Sequence, residues 1–163
     1  MGGMVLVCEV GADEWEVLRD VRLAALREAP HAFGSTYARE APFTQEQWLA
    51  RLARPGRVTF FARLPDVEEP AGLGGAKEED GTVEVVSMWV RPGARGRGVG
   101  AALVGAAADW AKARDHEILY LWVTETNAAA RVLYERCGFI PTGERQPLPS
   151  DTSLSEIQMR RQL

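Results

Sequence analysis

The chain has 163 residues, a length that suits one domain around a single core, and we expect 1–163 to form one such domain. Hydrophobic residues make up 46% and charged residues 26%, as in ordinary globular proteins. A formal net charge of −4 gives no general attraction to nucleic acid or to an anionic membrane, so neither is an expected partner. No stretch reaches the about 18 apolar residues of a membrane helix, and the start resembles a strand more than a signal peptide. We therefore expect a cytoplasmic protein.

The first half of the chain predicts the order β-α-α-β-β. Asp13 and Thr44 are each followed three residues later by Glu or Gln, the spacing of a helix capping box. The predicted elements are a strand at 4–10, a helix from Asp13 that ends before Pro30, a helix from Thr44 that ends before Pro55, and strands at 58–64 and 71–77.

The second half continues with the order β-α-β-α-β-β, after a hairpin turn at Asp80-Gly81. The predicted elements are a strand at 82–90, a helix at 99–113, a strand at 117–123, a helix at 128–136, and strands near 139–145 and 153–160. Together the two halves predict a mixed α/β sheet.

A glycine-rich loop joins the apolar strand at 82–90 to the alanine-rich helix that starts near Val99. Gly96, Gly98 and Gly100 lack Cβ atoms, so the backbone can approach a ligand closely. The first amides of the helix have no partner inside it, and the positive end of the helix dipole favours an anion there. Arg95 and Arg97 add bidentate donors, so the segment predicts a phosphate-binding loop.

Three other interpretations of this loop differ in strength. A P-loop needs Lys followed by Ser or Thr after its last glycine, but Gly98 is followed by Val99, so the P-loop interpretation is excluded. Gly96, Gly98 and Ala101 fit the dinucleotide pattern of an oxidoreductase, but its strand should run almost directly into the first glycine, whereas 91–95 intervenes here. A flexible surface turn stays open as the third.

The pattern R-x-x-G-x-G, from Arg95 to Gly100, resembles the acetyl-CoA loop of the GNAT N-acetyltransferases. A second block at 118–139, ILYLWVTETNAAARVLYERCGF, resembles the later strand and helix of the family. The shared positions in that block are Asn127, Ala130, Leu133, Tyr134, Gly138 and Phe139. The resemblance implies the α/β GNAT fold, a mixed central β-sheet with splayed central strands flanked by about four helices. It also implies transfer of an acetyl group from acetyl-CoA to a primary amine, by direct attack in a ternary complex.

The same resemblance implies a set of cofactor-binding residues. These are Met88, Trp89, Val90, Arg95, Gly96, Arg97, Gly98, Val99, Gly100, Ala101, Asn127 and Tyr134. The pantetheine arm of acetyl-CoA would pair with the backbone of 88–90, and the Met88 amide would bond the acetyl carbonyl and stabilise the developing oxyanion. Asn127 would contact the cofactor, although simple helix capping explains it too.

Two side chains are candidates for moving protons. Glu84 is an acid in a mostly apolar strand, and in one branch of the family a general-base glutamate lies eleven residues before the loop's Gln or Arg, as Glu84 lies before Arg95. Strand alternation predicts that Glu84, Val86, Met88 and Val90 share one face. An exposed edge glutamate, a water relay and Glu125 are the alternatives. By the same resemblance, Tyr134 is the general acid that reprotonates the CoA thiolate; its other interpretation is a packing tyrosine.

The remaining residues leave the acceptor open. Cys8 and Cys137 have neither metal-ligand spacing nor a disulfide framework, so we expect packing residues and no metal. Aromatic side chains of the first two helices and the loop between them could floor an acceptor pocket, but such residues more often form core: Trp15, Phe33, Tyr37 and Trp48. The charged residues of the sequence do not show whether the acyl acceptor is a cationic amine or an amino acid.

The alternative from a different functional class is a non-catalytic acyl-CoA-binding or regulatory module. By analogy with many relatives, a homodimer is expected.

Overall fold

The computed structural model describes residues 4–163; residues 1–3, the start of the predicted domain, lie outside the described residues. The sheet has seven strands in the order β1-β2-β3-β4-β5-β7-β6. The strands are β1 Leu6–Glu9, β2 Arg57–Arg63, β3 Gly72–Glu79, β4 Thr82–Val90, β5 Ile118–Thr124, β6 Ile140–Leu148 and β7 Asp151–Gln162. The helices are α1 Trp15–Glu28, α2 Tyr37–Glu40, α3 Gln45–Leu52, α4 Val99–Ala113 and α5 Ala128–Arg136. No helix within residues 4–163 is long and apolar enough to cross a bilayer.

Every predicted strand and helix has a counterpart, with differences at the N-terminal helices. Thr44 and Gln47 form the predicted capping box of α3. The first helix starts at Trp15, after a single turn at Ala12–Glu14, so the predicted start at Asp13 is wrong by two residues. Helix α2 was not predicted, because its four residues are too few to display a helical period.

The sheet separates two apolar layers. On one face α4 packs against β2, β3 and β4, and on the other face α1 and α3 cover the same strands. Neighbouring residues of β2 divide between the layers, since Phe60 joins the α4 layer and Phe61 joins the α1 layer. This division follows from the two-residue period of a strand.

The two central strands splay apart. β4 and β5 are parallel neighbours, but they pair only at Val83–Leu119, Glu84–Tyr120 and Val85–Leu121. β4 runs on to Val90 and β5 to Thr124 without further pairing between them. The gap opens at the carboxyl ends of both strands, where the chain leads into α4 and α5. The predicted GNAT fold with splayed central strands is confirmed.

A β-bulge interrupts β4 where the gap begins. The register against β3 changes between the pair Leu73–Trp89 and the pair Gly75–Val86, so β4 carries one extra residue there. Ser87 lies in this segment with a φ of 60°, a left-handed conformation that is uncommon for a residue with a side chain. Such bulges bend a strand and re-aim its side chains.

The bulge reverses the predicted facing of β4. Before it, Val85 contacts the α4 layer, so alternation puts Glu84 and Val86 on the α1 face. After it, Met88 and Val90 contact the α4 layer. The prediction that Glu84, Val86, Met88 and Val90 share one face is therefore wrong, because one inserted residue resets the alternation.

Candidate active site

The start of α4 carries four amides without a partner. Gly98 is the N-cap residue, has a φ of 82° and provides no side-chain cap. The first helical bond runs from the Ala102 amide to the Gly98 carbonyl, at 3.1 Å. Among residues 4–163, no acceptor is found for the amides of Gly98, Val99, Gly100 and Ala101. With the dipole of a 15-residue helix behind them, these N–H groups form a site that suits a phosphate.

The glycines of the loop serve different purposes. A Cβ atom on Gly96 or Gly98 would have no atom within 4 Å, so the space in front of the loop is open to a ligand. A Cβ atom on Gly100 would lie 2.7 Å from the Leu133 side chain. Gly100 therefore also permits the close contact between α4 and α5.

Both loop arginines are paired. Arg95 donates from Nε to the Val90 carbonyl at 3.0 Å and from Nη2 to Glu28 at 2.7 Å. Arg97 makes a bidentate pair with Asp66, at 2.7 and 3.1 Å. Both of these ion pairs are at least partly exposed to solvent, and such pairs exchange partners at little cost. Either loop guanidinium is thus available to an incoming phosphate, and Arg95 also braces the end of β4.

Glu28, the last residue of α1, ties three elements together. Its carboxylate accepts hydrogen bonds from Trp89 Nε1 at 2.8 Å and from Arg95. Burial raises the pKa of Glu28, but the bonds from Trp89 and Arg95 and the charge of Arg95 outweigh it, so the pKa is lowered overall. Sequence reasoning missed this residue, since its partners lie more than sixty positions away and no local pattern marks it.

The edge of β4 that faces the gap has backbone groups without a partner strand. The Arg91 amide donates to the Ala71 carbonyl at 2.8 Å, so alternation directs the polar groups of Trp89 towards β3. Those of Met88 and Val90 point the opposite way, in agreement with the bond from Arg95 to the Val90 carbonyl. The Met88 amide therefore faces the gap between β4 and β5.

Helix α5 brings the predicted acid to the other side of the gap. Tyr134 is 7% exposed, and its ring packs edge-to-face on Phe139, at 5.9 Å between centroids. Its hydroxyl has no hydrogen-bond partner among the described residues. The hydroxyl is not fully buried either, because Trp48 Nε1 is the one fully buried side-chain polar atom without a partner in the described part of the chain. The hydroxyl thus retains access to solvent. Burial, and next Cys137, raise the pKa of Tyr134, so the phenol is protonated at neutral pH.

A cavity with a volume of about 290 Å³ lies at the carboxyl end of β5. Its polar lining comes from Glu28, His31, Thr124, Thr126 and Asn127. Asn127 caps α5, because its side-chain oxygen accepts from the Ala130 amide at 3.2 Å. The capping interpretation of Asn127 is confirmed, and its position on the cavity wall leaves the amide nitrogen available to a ligand.

The comparisons with known proteins agree with this arrangement. The model of the acetyltransferase (GNAT) family matches residues 19–139. The chain belongs to this family. The GNAT match contains both the glycine-rich loop and the Tyr134 helix.

Five known proteins indicate how far this GNAT chain resembles others. Phosphinothricin N-acetyltransferase of Streptomyces coelicolor is 30% identical over 142 residues, which cover 80% of this chain and 79% of that protein. Mycothiol acetyltransferase of Beutenbergia cavernae is 47% identical over 60 residues, which are 37% of this chain and 20% of that protein. Matches to two further N-acetyltransferases cover 27% and 36% of their lengths. An acetyltransferase of Salmonella typhimurium, solved with its cofactor acetyl-CoA, has a TM-score of 0.75 at 18% identity over 99% of this chain and 95% of that one, which shows the shared GNAT fold.

The acids of this GNAT chain lie at different depths. Glu84 is at the closed end of the gap, 22% exposed, with Lys77 Nζ at 3.8 Å. It precedes Met88 by four residues, about 13 Å of strand, so a proton would need water to travel between the two. Glu125 forms an exposed pair with Arg145 at 2.7 Å and faces solvent.

Glu156 on β7 is a buried acid that sequence reasoning missed. It is 9% exposed and accepts one hydrogen bond, from Gln146 Nε2 at 2.6 Å. Burial raises its pKa; the bond from Gln146 opposes this, and the negative charge of Glu84 adds to it. Glu156 lies opposite Thr124 of β5, and the Thr124 hydroxyl donates to the His31 carbonyl in the loop after α1. The Glu156 side chain is therefore on the α1 face of the sheet, the same face as Glu84. Its only sequence signal was an acid within a predicted strand.

A buried charge network also escaped prediction. Arg22 is 5% exposed and Glu40 2%, and they form a bidentate pair with both contacts at 3.0 Å. Arg22 also donates to Ser87 Oγ at 3.1 Å and lies over the Phe33 ring at 4.7 Å. Arg51 adds a second guanidinium to Glu40 at 2.9 Å. The available signal was an arginine inside the apolar stripe of the first helix.

The other predictions have mixed outcomes. The core interpretation of the aromatic residues is confirmed for Trp48 and Phe33, which are fully buried in the α1 layer, with Trp15 and Tyr37 packed against it. Cys137 is half-buried and packs against the α4 layer, as expected, whereas Cys8 is exposed on the edge strand and is no packing residue.

Proposed function

We propose that the chain is an acetyl-CoA-dependent N-acetyltransferase that transfers an acetyl group to a primary amine by direct attack in a ternary complex. The observation that carries the proposal is the juxtaposition of the uncapped amides at 98–101 with the free edge of β4. One group binds phosphate and the other pairs with an extended amide-containing arm, and acetyl-CoA contains both. Similarity to phosphinothricin N-acetyltransferase over four fifths of the chain supports the same chemistry.

Each part of acetyl-CoA has residues that fit it. The pyrophosphate fits the amides of the loop and of the first turn of α4, with Arg95 and Arg97 as side-chain donors. The pantetheine arm fits between the edge of β4 at 88–90 and Asn127 on α5. When bound, acetyl-CoA supplies the activated acyl group. The Met88 amide would donate to the acetyl carbonyl oxygen, and a fixed backbone dipole of this kind stabilises the charge that develops there. As the amine nitrogen bonds to the carbonyl carbon, the bond from that carbon to sulfur would break, and Tyr134 would protonate the departing CoA thiolate.

The amine must lose a proton before or during attack, and two carboxylates are candidates to receive it. Glu84 acts through ordered water, because its carboxylate is four residues from Met88. Glu156 is the second candidate, favoured by its burial and its raised pKa, both of which suit a general base. We expect Glu156→Gln or Glu84→Gln, whichever removes the base, to abolish the acidic limb of the dependence of kcat/KM on pH. If both variants retain that limb, the proton leaves by water and backbone carbonyls alone.

The wider setting of the enzyme belongs to the same proposal. We place it in the cytoplasm as one domain, without nucleic acid or metal. A homodimer is proposed on the exposed edge of β6, where Ile140 is 55% exposed. Sedimentation velocity at micromolar concentration tests this, and a monomer would contradict it.

Calorimetric titration with acetyl-CoA, followed by thiol release with a panel of amines, tests the function. We expect stoichiometric binding that NADH does not displace, and thiol release that requires an amine. Binding without turnover on any amine would favour the non-catalytic acyl-CoA module, and displacement by NADH would favour the oxidoreductase. Absence of acetyl-CoA binding would contradict the interpretation of the loop itself.

A further inference from the structure

A second, smaller cavity lies beneath α3 against the middle of the sheet. Its volume is about 30 Å³, which is room for one small polar group. Arg51 and Arg57 line it, while the strands contribute mainly backbone and small side chains, among them Gly74, Gly75 and Ser87. This lining is rich in donors and contains no carboxylate.

At this cavity the guanidinium groups outnumber the carboxylates that bond to them directly. The carboxylate of Glu40 is shared between Arg22, which takes both oxygens, and Arg51. Arg57 makes no ion pair and no side-chain hydrogen bond with any residue at 4–163, although the charges of Glu79 and Glu84 act on it from a greater distance. One carboxylate therefore serves two guanidiniums, and a third guanidinium beside them has no partner. Arg51 and Arg57 are only partly buried, so water solvates them in part, but the donors that they present to one cavity match an anion.

The electrostatics agree with that match to an anion. Burial first, and then the charge of Arg22, lowers the pKa of Arg51 to about 10, so Arg51 remains charged at neutral pH. Burial and the nearby charge of Arg54 lower the pKa of Arg57, only partly offset by Glu79 and Glu84. A bound anion would relieve both effects.

The cavity adjoins the β4 bulge and therefore the reaction centre. Val86 and Ser87 line it, and the next residue is Met88, whose amide faces the gap. The distance along the strand from the cavity lining to that amide is about 3–7 Å. Ser87 Oγ accepts a hydrogen bond from Arg22, which leaves the Ser87 hydroxyl hydrogen free to donate into the cavity.

We propose that Arg57 and Arg51, with the Ser87 hydroxyl, bind the carboxylate of the acceptor, which is a small primary amine of the amino-acid type. The planar forks of two arginines match a carboxylate, and the amine of a small amino acid then extends from the cavity towards the Met88 amide. No bond is made or broken at this site. The inference rests on the proposed acetyl transfer and names its acceptor class.

Matched acceptors test the proposal. Free amino acids, their carboxamides and their decarboxylated amines are compared by thiol release from acetyl-CoA. We expect at least one amino acid to exceed both its carboxamide and its decarboxylated amine about tenfold or more in kcat/KM. Equal or better turnover of the carboxamides, of the decarboxylated amines or of peptide amines would overturn the carboxylate site while leaving acetyl transfer intact.

The variant Arg57→Gln tests whether the preference for an amino acid over its carboxamide arises at this cavity. Because Arg57 is unpaired and partly exposed, its replacement should not disturb folding. We expect KM for the amino acid to rise about tenfold, the preference over the carboxamide to fall towards one, and KM for acetyl-CoA to stay the same. Arg54→Gln is the matched control, since Arg54 is exposed and does not line the cavity, and it should retain the preference. An unchanged preference in Arg57→Gln would contradict the proposal.

A measurement without turnover separates this inference from the proposed function. Sodium acetate is titrated into the CoA-bound protein, and the Nε–H resonances of the arginines are followed by NMR. A saturable shift at Arg57, but not at Arg54, supports the site even if no amine is acetylated, in which case the transferase proposal alone fails. No shift at Arg57 with millimolar acetate would overturn the site.

Discussion

At the scale of single residues, Tyr134 is the side chain whose chemistry is easiest to isolate. Its ring is buried against Phe139, whereas its hydroxyl bonds to no described residue and reaches solvent. The hydroxyl therefore contributes little to the fold, and its removal should affect chemistry rather than structure.

We expect Tyr134→Phe to lower kcat by about 10²–10⁴-fold, the usual contribution of a general acid. The melting temperature and the Kd for acetyl-CoA should stay close to those of the wild type, because the ring is retained. Stopped-flow thiol release and calorimetry measure the two quantities. Wild-type turnover in this variant would assign Tyr134 to packing alone.

The network of Arg22 and Glu40 acts on stability, and through Ser87 on the bulge. Removal of one partner from a buried ion pair costs about 3–5 kcal/mol, since it leaves an uncompensated charge. We expect Arg22→Met to lower the free energy of unfolding by that amount, and the double variant Arg22→Met with Glu40→Met to cost less than the sum of the single variants.

Urea denaturation of the three variants measures this coupling. Arg145→Gln is the control, because its pair with Glu125 is exposed on both sides and should contribute only about 0–1 kcal/mol. Additive effects of the Arg22 and Glu40 replacements would show that the two side chains do not act as a pair.

At the scale of elements, the start of α4 combines backbone strain with binding. Gly98 must adopt a φ of 82° to turn the chain into the helix, and this conformation costs residues with a Cβ atom about 1–2 kcal/mol. Gly105 lies in the middle of the same helix with open space around it and no such φ. The two glycines are therefore a matched pair with opposite expectations.

We expect Gly98→Ala to lower the free energy of unfolding by about 1–2 kcal/mol and to weaken acetyl-CoA binding, because the loop amides lose their direction. Gly105→Ala should raise the free energy of unfolding by about 0.5–1 kcal/mol and leave acetyl-CoA binding unchanged. Thermal denaturation and calorimetry measure both effects. A Gly98→Ala protein as stable as the wild type would mean that the left-handed turn is not required.

At the scale of the whole molecule, stability depends on carboxylates that the fold keeps charged. The guanidinium bonds of Arg22 and the charges of Arg22 and Arg51 outweigh burial and lower the pKa of Glu40, while Arg97 lowers that of Asp66. A carboxyl with a lowered pKa in the folded state contributes stability above its unfolded pKa, and this contribution is lost as the pH falls through the folded value. Glu156, whose pKa is raised, has the opposite sign, but it is a single group.

We therefore expect the free energy of unfolding to be constant near neutral pH and to fall below about pH 4.5, the usual range of a glutamate. Urea denaturation between pH 7 and pH 3 measures the slope. Glu40→Gln should start from a lower stability and lose less of it on acidification. A flat profile in the wild type would contradict the lowered pKa values.

The sequence by itself determined the order of the elements apart from α2, the glycine-rich loop before α4 and the helix that carries Tyr134. These features follow from local patterns, namely alternation, capping residues and glycine spacing, which act within a few neighbouring residues. Only the tertiary structure decided that Ser87 resets the facing of β4, that Glu28 holds Trp89 and Arg95, and that Arg57 remains unpaired beside the shared carboxylate of Glu40. Each depends on residues far apart in the chain whose burial and charge become fixed only when the sheet and helices pack together.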